Sequence, residues 1–492
     1  MIQQKTGLIM RPSPILKVLG ILLMFFSISM LTPIIVNEIY QENNGWPFFY
    51  SFLITFSSGA ILWAIFGRSR QQLTTRDGVI IVILIWSVLC LYGAIPYLFS
   101  KGLHISLTHS VFESISGFTA TGSTVITGLD KLPKSLLYYR QQSQLFGGMG
   151  IVILSVAILP MLGVGGMQLY RAEASGPWKE NKLTPRIAET AKALWQIYLF
   201  LTLASIGIFW LCGLSLFDSI CYAYSTIATG GFAPTDASMS NMPPLILAVS
   251  MIFMVLGAIS FRLHFLFFKQ RSLKVYATDP EFRSFCYFLF FMAVIVILTL
   301  LAHNQKDSTM SNFWHGLFQV ISFASNTGLT SDGNFYQWPT FIPILLMLIA
   351  IIGGCSSSTS SGIKVVRMVL FKKQAAREVR KIVHPEGVFN IKFGKNSVSD
   401  RIMQGVMAFF AAYIMVFFAI WLAIMAFHVD VETAFSATVA SLSNVGPGLA
   451  NIGNNFSQLP TPVYWLLDIA MLFGRLEIFT ILVLFTKDFW RI

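Results

Sequence analysis

The sequence predicts an all-α polytopic membrane protein. Four parallel units, each an outer helix, a short pore helix and an inner helix, surround a central pore behind an N-terminal pair of transmembrane helices. Three observations predict it. Hydrophobic residues make up 55% of the 492-residue chain and charged residues 11%, with a mean hydropathy of +0.68, whereas soluble domains carry about 25% charged residues. Ten stretches are apolar and long, most of them ~20 residues or more without a charge, enough to cross a hydrocarbon core as helix. Finally, four short apolar helices end in polar turns around a glycine: Thr119-Ala120-Thr121-Gly122-Ser123, Ile227-Ala228-Thr229-Gly230-Gly231, Ser325-Asn326-Thr327-Gly328-Leu329 and Ser443-Asn444-Val445-Gly446-Pro447.

The spans fall at roughly 15–36, 46–67, 79–100, 140–163, 193–214, 243–268, 284–302, 339–370, 402–427 and 462–486. The first two form the N-terminal pair, 1–76. Segment 15–36 is too long for a signal h-region and no small-residue cleavage site clearly follows it, so no cleavable signal peptide is expected. The four units are 77–192, 193–283, 284–401 and 402–492, the glycines lying 108, 98 and 118 residues apart. A polar signal opens each short helix: Ser106/Thr108, Asp218, Ser311/Asn312 and Asp430/Glu432. Pore helices are expected at about 108–119, 218–227, 314–324 and 432–442, too short to span, with C-terminal dipoles that favour a cation at the turn. A proline then restarts the chain: Pro133, Pro243, Pro339 and Pro460. Two crossings per unit give all four the same orientation, a parallel repeat and not an inverted one.

The formal charge of +12 is topogenic. Loops on one side hold Arg68, Arg70, Arg76, Arg171, Lys179, Lys182, Arg186, Lys192, Lys269, Arg271, Lys274, Arg283 and the basic run from Lys364 to Arg401, while Lys101, Lys131, Lys134, Arg140 and Lys306 fall opposite. The positive-inside rule then puts both termini in the cytoplasm. Topology accounts for the basic loops without nucleic acid as a partner. Five cysteines without CxxC spacing imply neither metal site nor disulfide framework, and seven histidines show no HxxxH or HExxH pattern. No GxGxxG or GxxxxGK[ST] motif is present, so no organic cofactor is expected in this chain.

Polar, glycine-containing backbone at membrane depth is tolerated where it is buried in protein or lines a water-filled path. Glycine lets consecutive carbonyls aim inward, and rings of carbonyls replace the hydration shell of an alkali cation. The candidate filter is Thr121, Gly122, Thr229, Gly230, Thr327, Gly328, Val445 and Gly446, with Ala120, Ala228, Asn326 and Asn444 before them. Helix-packing glycine is the competing reading for any single turn, and for four in register it loses force. Val445 has no hydroxyl, so the ring is only approximately fourfold.

In the third unit's inner helix, Gly353, Gly354, Ser357, Ser358 and Gly362 fall in a Gly/Ser/Thr run, 353–362, that breaks the helix between apolar flanks. A Ser-rich linker at the membrane surface is the alternative. Asp468, Arg475 and Glu477 interrupt the last span, and such charges usually face a cavity or a partner. Arg475 either projects to the pore and contacts 353–362, or snorkels to the surface. Glu113 either sets a negative potential at the entrance or satisfies backbone behind the filter. Asp130, Asp236 and Asp332 either concentrate cations at the mouth or serve as turn residues. Gly147, Gly148 and Gly150 are read as close-packing or kink glycines.

With its four filter turns, the Gly147-Gly148-Met149-Gly150 stretch and the polar loop of the third repeat, the whole chain resembles the Trk/Ktr/HKT superfamily of potassium transporters. The N-terminal helix pair makes it most similar to the TrkH-type membrane subunit. The resemblance implies K+ as the transported ion, taken up across the bacterial inner membrane, with filter glycines governing selectivity. Some plant relatives have serine at the first filter glycine and favour sodium; Gly122 points to potassium. It also implies that 353–362 gates the pore below the filter, held by Arg475, which repels cations there. Implied partners are membrane lipid, a second copy in a homodimer, and a cytoplasmic nucleotide-binding regulator of the TrkA type. A sodium- or proton-coupled cation symporter of the same fold is the alternative. An enzyme is disfavoured, because no acid, base and nucleophile converge in the sequence.

Overall fold

The apolar runs become helices. Inner helices start within two residues of the expected prolines. Two pore helices start at the expected Ser106 and Asp430, whereas Ser311 and Asn312 fall inside a helix that already starts at Thr309. A computed structural model describes residues 12–68, 75–100, 102–153, 183–303, 309–394 and 396–490. Arg70, Lys101, Arg171, Lys179, Lys182 and Lys306, and the 154–163 end of the expected fourth span, lie outside the described residues. Six helices among the described residues are long and apolar enough to cross a membrane, seven if a bent pair is counted as one span. Strongly exposed Leu211, Tyr287 and Phe290 give the outer helices apolar outward faces, as a multi-pass membrane protein requires.

In the N-terminal pair, α1 (Pro12–Ser29) and α2 (Thr32–Ile39) form one rod interrupted just before Pro33, and α3 (Gly45–Phe66) packs on α1. The contact is backbone to backbone. A Cβ on Gly20 would lie 2.8 Å from the Gly59 carbonyl, and one on Gly59 would lie 2.7 Å from that of Gly20.

The first unit comprises α4 (Thr75–Gly93) with α5 (Ile95–Phe99), pore helix α6 (Leu107–Phe118) and inner helix α7 (Lys134–Ile153). The second comprises α8 (Leu183–Leu211), pore helix α9 (Leu216–Ala228), and α10 (Pro244–Ala258) with α11 (Phe261–Gln270), followed by the short α12 (Lys274–Thr278). The third has α13 (Pro280–Ala302), pore helix α14 (Thr309–Ala324), α15 (Phe341–Ile352) and the basic α16 (Val365–Val383). A two-residue hairpin, β1 (Lys392–Phe393) antiparallel to β2 (Asn396–Ser397), precedes the fourth unit. That unit has α17 (Asp400–Met425), pore helix α18 (Val431–Leu442), α19 (Thr461–Arg475) and α20 (Ile478–Leu482). Side-chain oxygens cap three pore helices: Ser106 accepts from His109 N–H, Ser215 from Asp218 N–H and Asp430 from Thr433 N–H. In the second unit, therefore, Ser215 and not Asp218 is the cap.

Two expected spans are corrected. The stretch 243–268 is not one rod: α10 and α11 meet at 95° across Ile259–Ser260. There the carbonyls of Gly257 and Ala258 accept bonds from the 353–362 loop in place of a further helical turn. The final stretch, 462–486, stops at Arg475, and Glu477 adopts φ 56° before α20 begins. The stretch 339–370 is broken where the glycines and serines predict, between Ile352 and Val365.

Candidate ion filter and gate

One hydrogen bond sets the register of all four turns. Thr121 N–H donates to Ser116 O (2.8 Å), Gly230 N–H to Ser225 O (2.9 Å), Thr327 N–H to Ser322 O (2.9 Å) and Val445 N–H to Ala440 O (2.9 Å). The residue before each donor is left-handed: Ala120, Thr229, Asn326 and Asn444, at φ 51°, 52°, 55° and 49°. The residue after each donor is a glycine at φ 87°, 83°, 75° and 91°: Gly122, Gly231, Gly328 and Gly446.

This corrects the second turn by one residue. Gly231, not Gly230, is equivalent to the other three glycines, and Thr229 matches Ala120 rather than Thr121. Ala228 in turn matches Thr119. The tandem Gly230-Gly231 hid the offset, because Ala228-Thr229-Gly230 copies the letters of Ala120-Thr121-Gly122. Only Thr121 and Thr327 then carry a hydroxyl immediately before the equivalent glycine.

The four glycines seal a ring. A Cβ on Gly122 would collide with Gly230 O, one on Gly231 with Thr327 O, one on Gly328 with Val445 O, and one on Gly446 with Thr121 O, each nearer than the 3.0 Å a real Cβ tolerates. Each turn thus meets the carbonyl of the next, and the fourth returns to the first. Side chains cross the seam between the fourth and first turns: Ser123 Oγ donates to Gly446 O (3.0 Å), and Asn444 Nδ2 donates to Thr121 Oγ1 (2.8 Å). Above the ring lies a cavity of about 320 Å³ bordered by Gly122, Gly231, Gly328, Gly446 and Asp236. Of the three outer aspartates, Asp236 borders this cavity while accepting from Leu129 N–H (3.1 Å). Asp332 is a turn residue, accepting from Asn334 N–H and Trp338 Nε1–H, and Asp130 is exposed.

Glu113 sits behind the first turn, fully buried, accepting from Val125 N–H (3.1 Å) and Thr124 Oγ1–H (3.0 Å) and pairing with Arg140 at 2.8 Å. Arg140 was expected among the outer-side loop charges. It is instead fully buried on α7, donating also to Thr124 Oγ1 and Ala233 O. Its neighbour one turn on, Gln144, bonds the second turn. Sequence reading missed both residues. The available signal was the polar cluster Arg140-Gln141-Gln142-Ser143-Gln144 inside an expected span. The glycine stretch does pack closely: a Cβ on Gly147 would strike Phe118 O, and one on Gly148 would lie 2.8 Å from Ala228.

The 353–362 loop folds beneath the ring. Gly353, Ser357 and Gly362 adopt φ 72°, 55° and 80°, so the helix cannot continue through them. Thr359 Oγ1 donates toward Ile227 O (3.0 Å) and Gly257 O (2.9 Å), and Cys355 N–H to Ala258 O (2.9 Å). Gly354 N–H donates to Ser360 Oγ, which donates to Asn326 of the third turn at Oδ1 (2.9 Å), and Ser358 Oγ donates to Cys355 O (2.6 Å). Arg475, 1% exposed, donates from Nη1 to Thr359 O (2.9 Å) and Ser361 Oγ (3.3 Å). It is buried against the loop and does not snorkel. Glu477 pairs with Arg367 at 2.8 Å, and Arg367 stacks over Phe409. Asp468 is buried with neither carboxylate oxygen hydrogen-bonded among the described residues.

The profile of a family described as a cation transport protein, TrkH, matches residues 45–491. The chain is 46% identical to the Trk system potassium uptake protein TrkH of Salmonella typhimurium, over 97% of this chain and 99% of that protein. It is 36% identical to the Trk system potassium uptake protein TrkG of Escherichia coli, over 96% and 97%. The crystal structure of the potassium transporter TrkH from Vibrio parahaemolyticus superposes with a TM-score of 0.91 at 43% identity, covering 98% of this chain and 100% of that one. These relatives are transporters, not enzymes. With its four-turn ring and the loop beneath it, the chain belongs to the TrkH family of cation transport proteins.

Proposed function

We propose that this protein takes up potassium across the bacterial inner membrane through the ring of four re-entrant turns. The carrying observation is the circular set of glycine-to-carbonyl seams, which brings Thr121, Gly230, Thr327 and Val445 together as neighbours. Backbone carbonyls arranged in a ring replace the water around an alkali cation. The filter is assigned to Gly122, Gly231, Gly328 and Gly446 with the residues before them. The gate is the 353–362 loop held by Arg475, whose charge also repels cations from the path below the filter. Membrane lipid surrounds the outer helices, and both termini face the cytoplasm. A second copy in a homodimer and a cytoplasmic nucleotide-binding regulator of the TrkA type complete the proposed working assembly.

The test is growth of a potassium-uptake-deficient bacterium on limiting K+, with the regulatory subunit supplied. Wild type is expected to restore growth and Gly122→Ser to lose K+ preference. Absence of rescue by the wild type overturns the proposal. A proton-coupled symporter is a second reading, favoured by one observation, the buried carboxylate of Asp468 without a hydrogen-bond partner among the described residues.

A further inference from the structure

The second turn differs from the other three at the position before its filter glycine. In the first turn Thr121 fills that place, its hydroxyl 2.7 Å from Thr119 Oγ1 and accepting from Asn444. In the third, Thr327 Oγ1 lies 2.7 Å from Ser325 Oγ, and in the fourth Val445 is completely buried. The second turn has Gly230 there, followed by Gly231. Two consecutive glycines are the least restrained dipeptide a chain offers, in a turn that must hold its carbonyls in register.

Gln144 of α7 occupies the vacant place. Its amide is fully buried; Nε2 donates to Gly230 O at 2.5 Å and Oε1 accepts from Phe232 N–H at 3.2 Å. A Cβ on Gly230 would lie 2.5 Å from the Gln144 Cδ. Gly230, unlike Gly231, does not have a positive φ, so space and not backbone strain excludes a side chain there. The chemistry calls for an amide, because Phe232 N–H needs an acceptor and Gly230 O needs a donor, and no carboxylate or alkyl group supplies both. Arg140, four residues earlier on the same helix face, donates to Ala233 O (3.2 Å) and lies over the Phe232 ring. The first unit's inner helix therefore grips the second unit's turn at both ends.

We propose that Gln144 is a positioning residue for ion selectivity, a side chain from the first unit that stands in for the missing filter side chain of the second. The proposal rests on the four turns being the ion filter. One of the four seam carbonyls, Gly230 O, is then held by a neutral N–H donor from outside its own turn.

The test compares K+ and Na+ uptake, as a ratio, in a uptake-deficient bacterium carrying the full chain and its regulatory subunit, since a ratio does not depend on protein amount. Gln144→Leu is expected to lower the K+/Na+ ratio about tenfold, the effect of a lost buried hydrogen bond. Gly230→Thr alone is expected to lose uptake, because the new side chain and Gln144 compete for one space. Gly230→Thr combined with Gln144→Ala recreates the threonine of turns one and three, and is expected to regain uptake with K+ preference. A wild-type ratio in Gln144→Leu, or full activity of Gly230→Thr alone, overturns the proposal. If Gln144→Leu fails to reach the membrane, the double variant decides: recovery supports the substitution of roles, and no recovery overturns it. A ratio altered by Gly122→Ser but not by Gln144→Leu sinks this inference alone; a ratio moved by neither removes the filter reading.

Discussion

At the residue scale, each glycine of the ring does two jobs that alanine cannot share. It accepts a positive φ, which costs an L-residue about 1–2 kcal/mol, and it leaves room for the neighbouring turn's carbonyl. Gly231→Ala is therefore expected to reduce K+ uptake at least tenfold and to lower K+/Na+ discrimination, matching Gly122→Ala in parallel flux assays; wild-type behaviour of Gly231→Ala would remove it from the ring. The offset of this turn was not legible in the sequence, since Thr229-Gly230 imitates Thr121-Gly122 and only hydrogen bonds and backbone angles separate them. Behind the first turn, the Glu113–Arg140 pair is sealed from water. Removing one partner strands a buried charge, at about 3–5 kcal/mol. Glu113→Gln and Arg140→Gln should each lower the thermal midpoint of the detergent-solubilised protein, and the double variant should recover part of the loss. Equal additive losses would show that the pair is not coupled.

At the scale of elements, helix breaks place the loop that is proposed as the gate. The break at 353–362 was legible because three glycines and five serines cannot sustain a helix between Ile352 and Ile363. The bend of α10 against α11 was not, because its cause lies in another unit. Carbonyls of Gly257 and Ala258 turn to Thr359 and Cys355, bonds that no local pattern announces. Arg475 likewise terminates α19 where it meets Thr359 O and Ser361 Oγ. Arg475→Ala should raise K+ leak into proteoliposomes lacking the regulatory subunit. Thr359→Val should raise it less, since the loop keeps its backbone bonds. Unchanged leak in Arg475→Ala would dismiss the arginine as a latch.

At the scale of the whole molecule, the four-unit plan was readable from composition, span count and the repeated turn with its following proline. Seen together, the units are less alike than that plan suggests: one turn is braced by Gln144, one inner helix is bent, one carries the loop and one ends in charge. If conduction is channel-like, the reversal potential of membranes containing the protein should track the K+ gradient at fixed pH and Na+. A displacement on changing pH, abolished by Asp468→Asn, would instead select the coupled reading.

The seam between Gly446 and Thr121 also constrains how the protein can be made. Ser123 and Gly446, bonded across that seam, stand 323 residues apart, so the first turn is synthesised and inserted long before its neighbour exists. Ordering contacts of such separation is slow relative to local helix formation. Until the last unit is made, the polar backbone of the first turn lacks its partner across this seam. A chain that stops short of the fourth turn has three turns but only two of the four seams, so the ring cannot close, and termination anywhere before residue 446 is expected to abolish uptake.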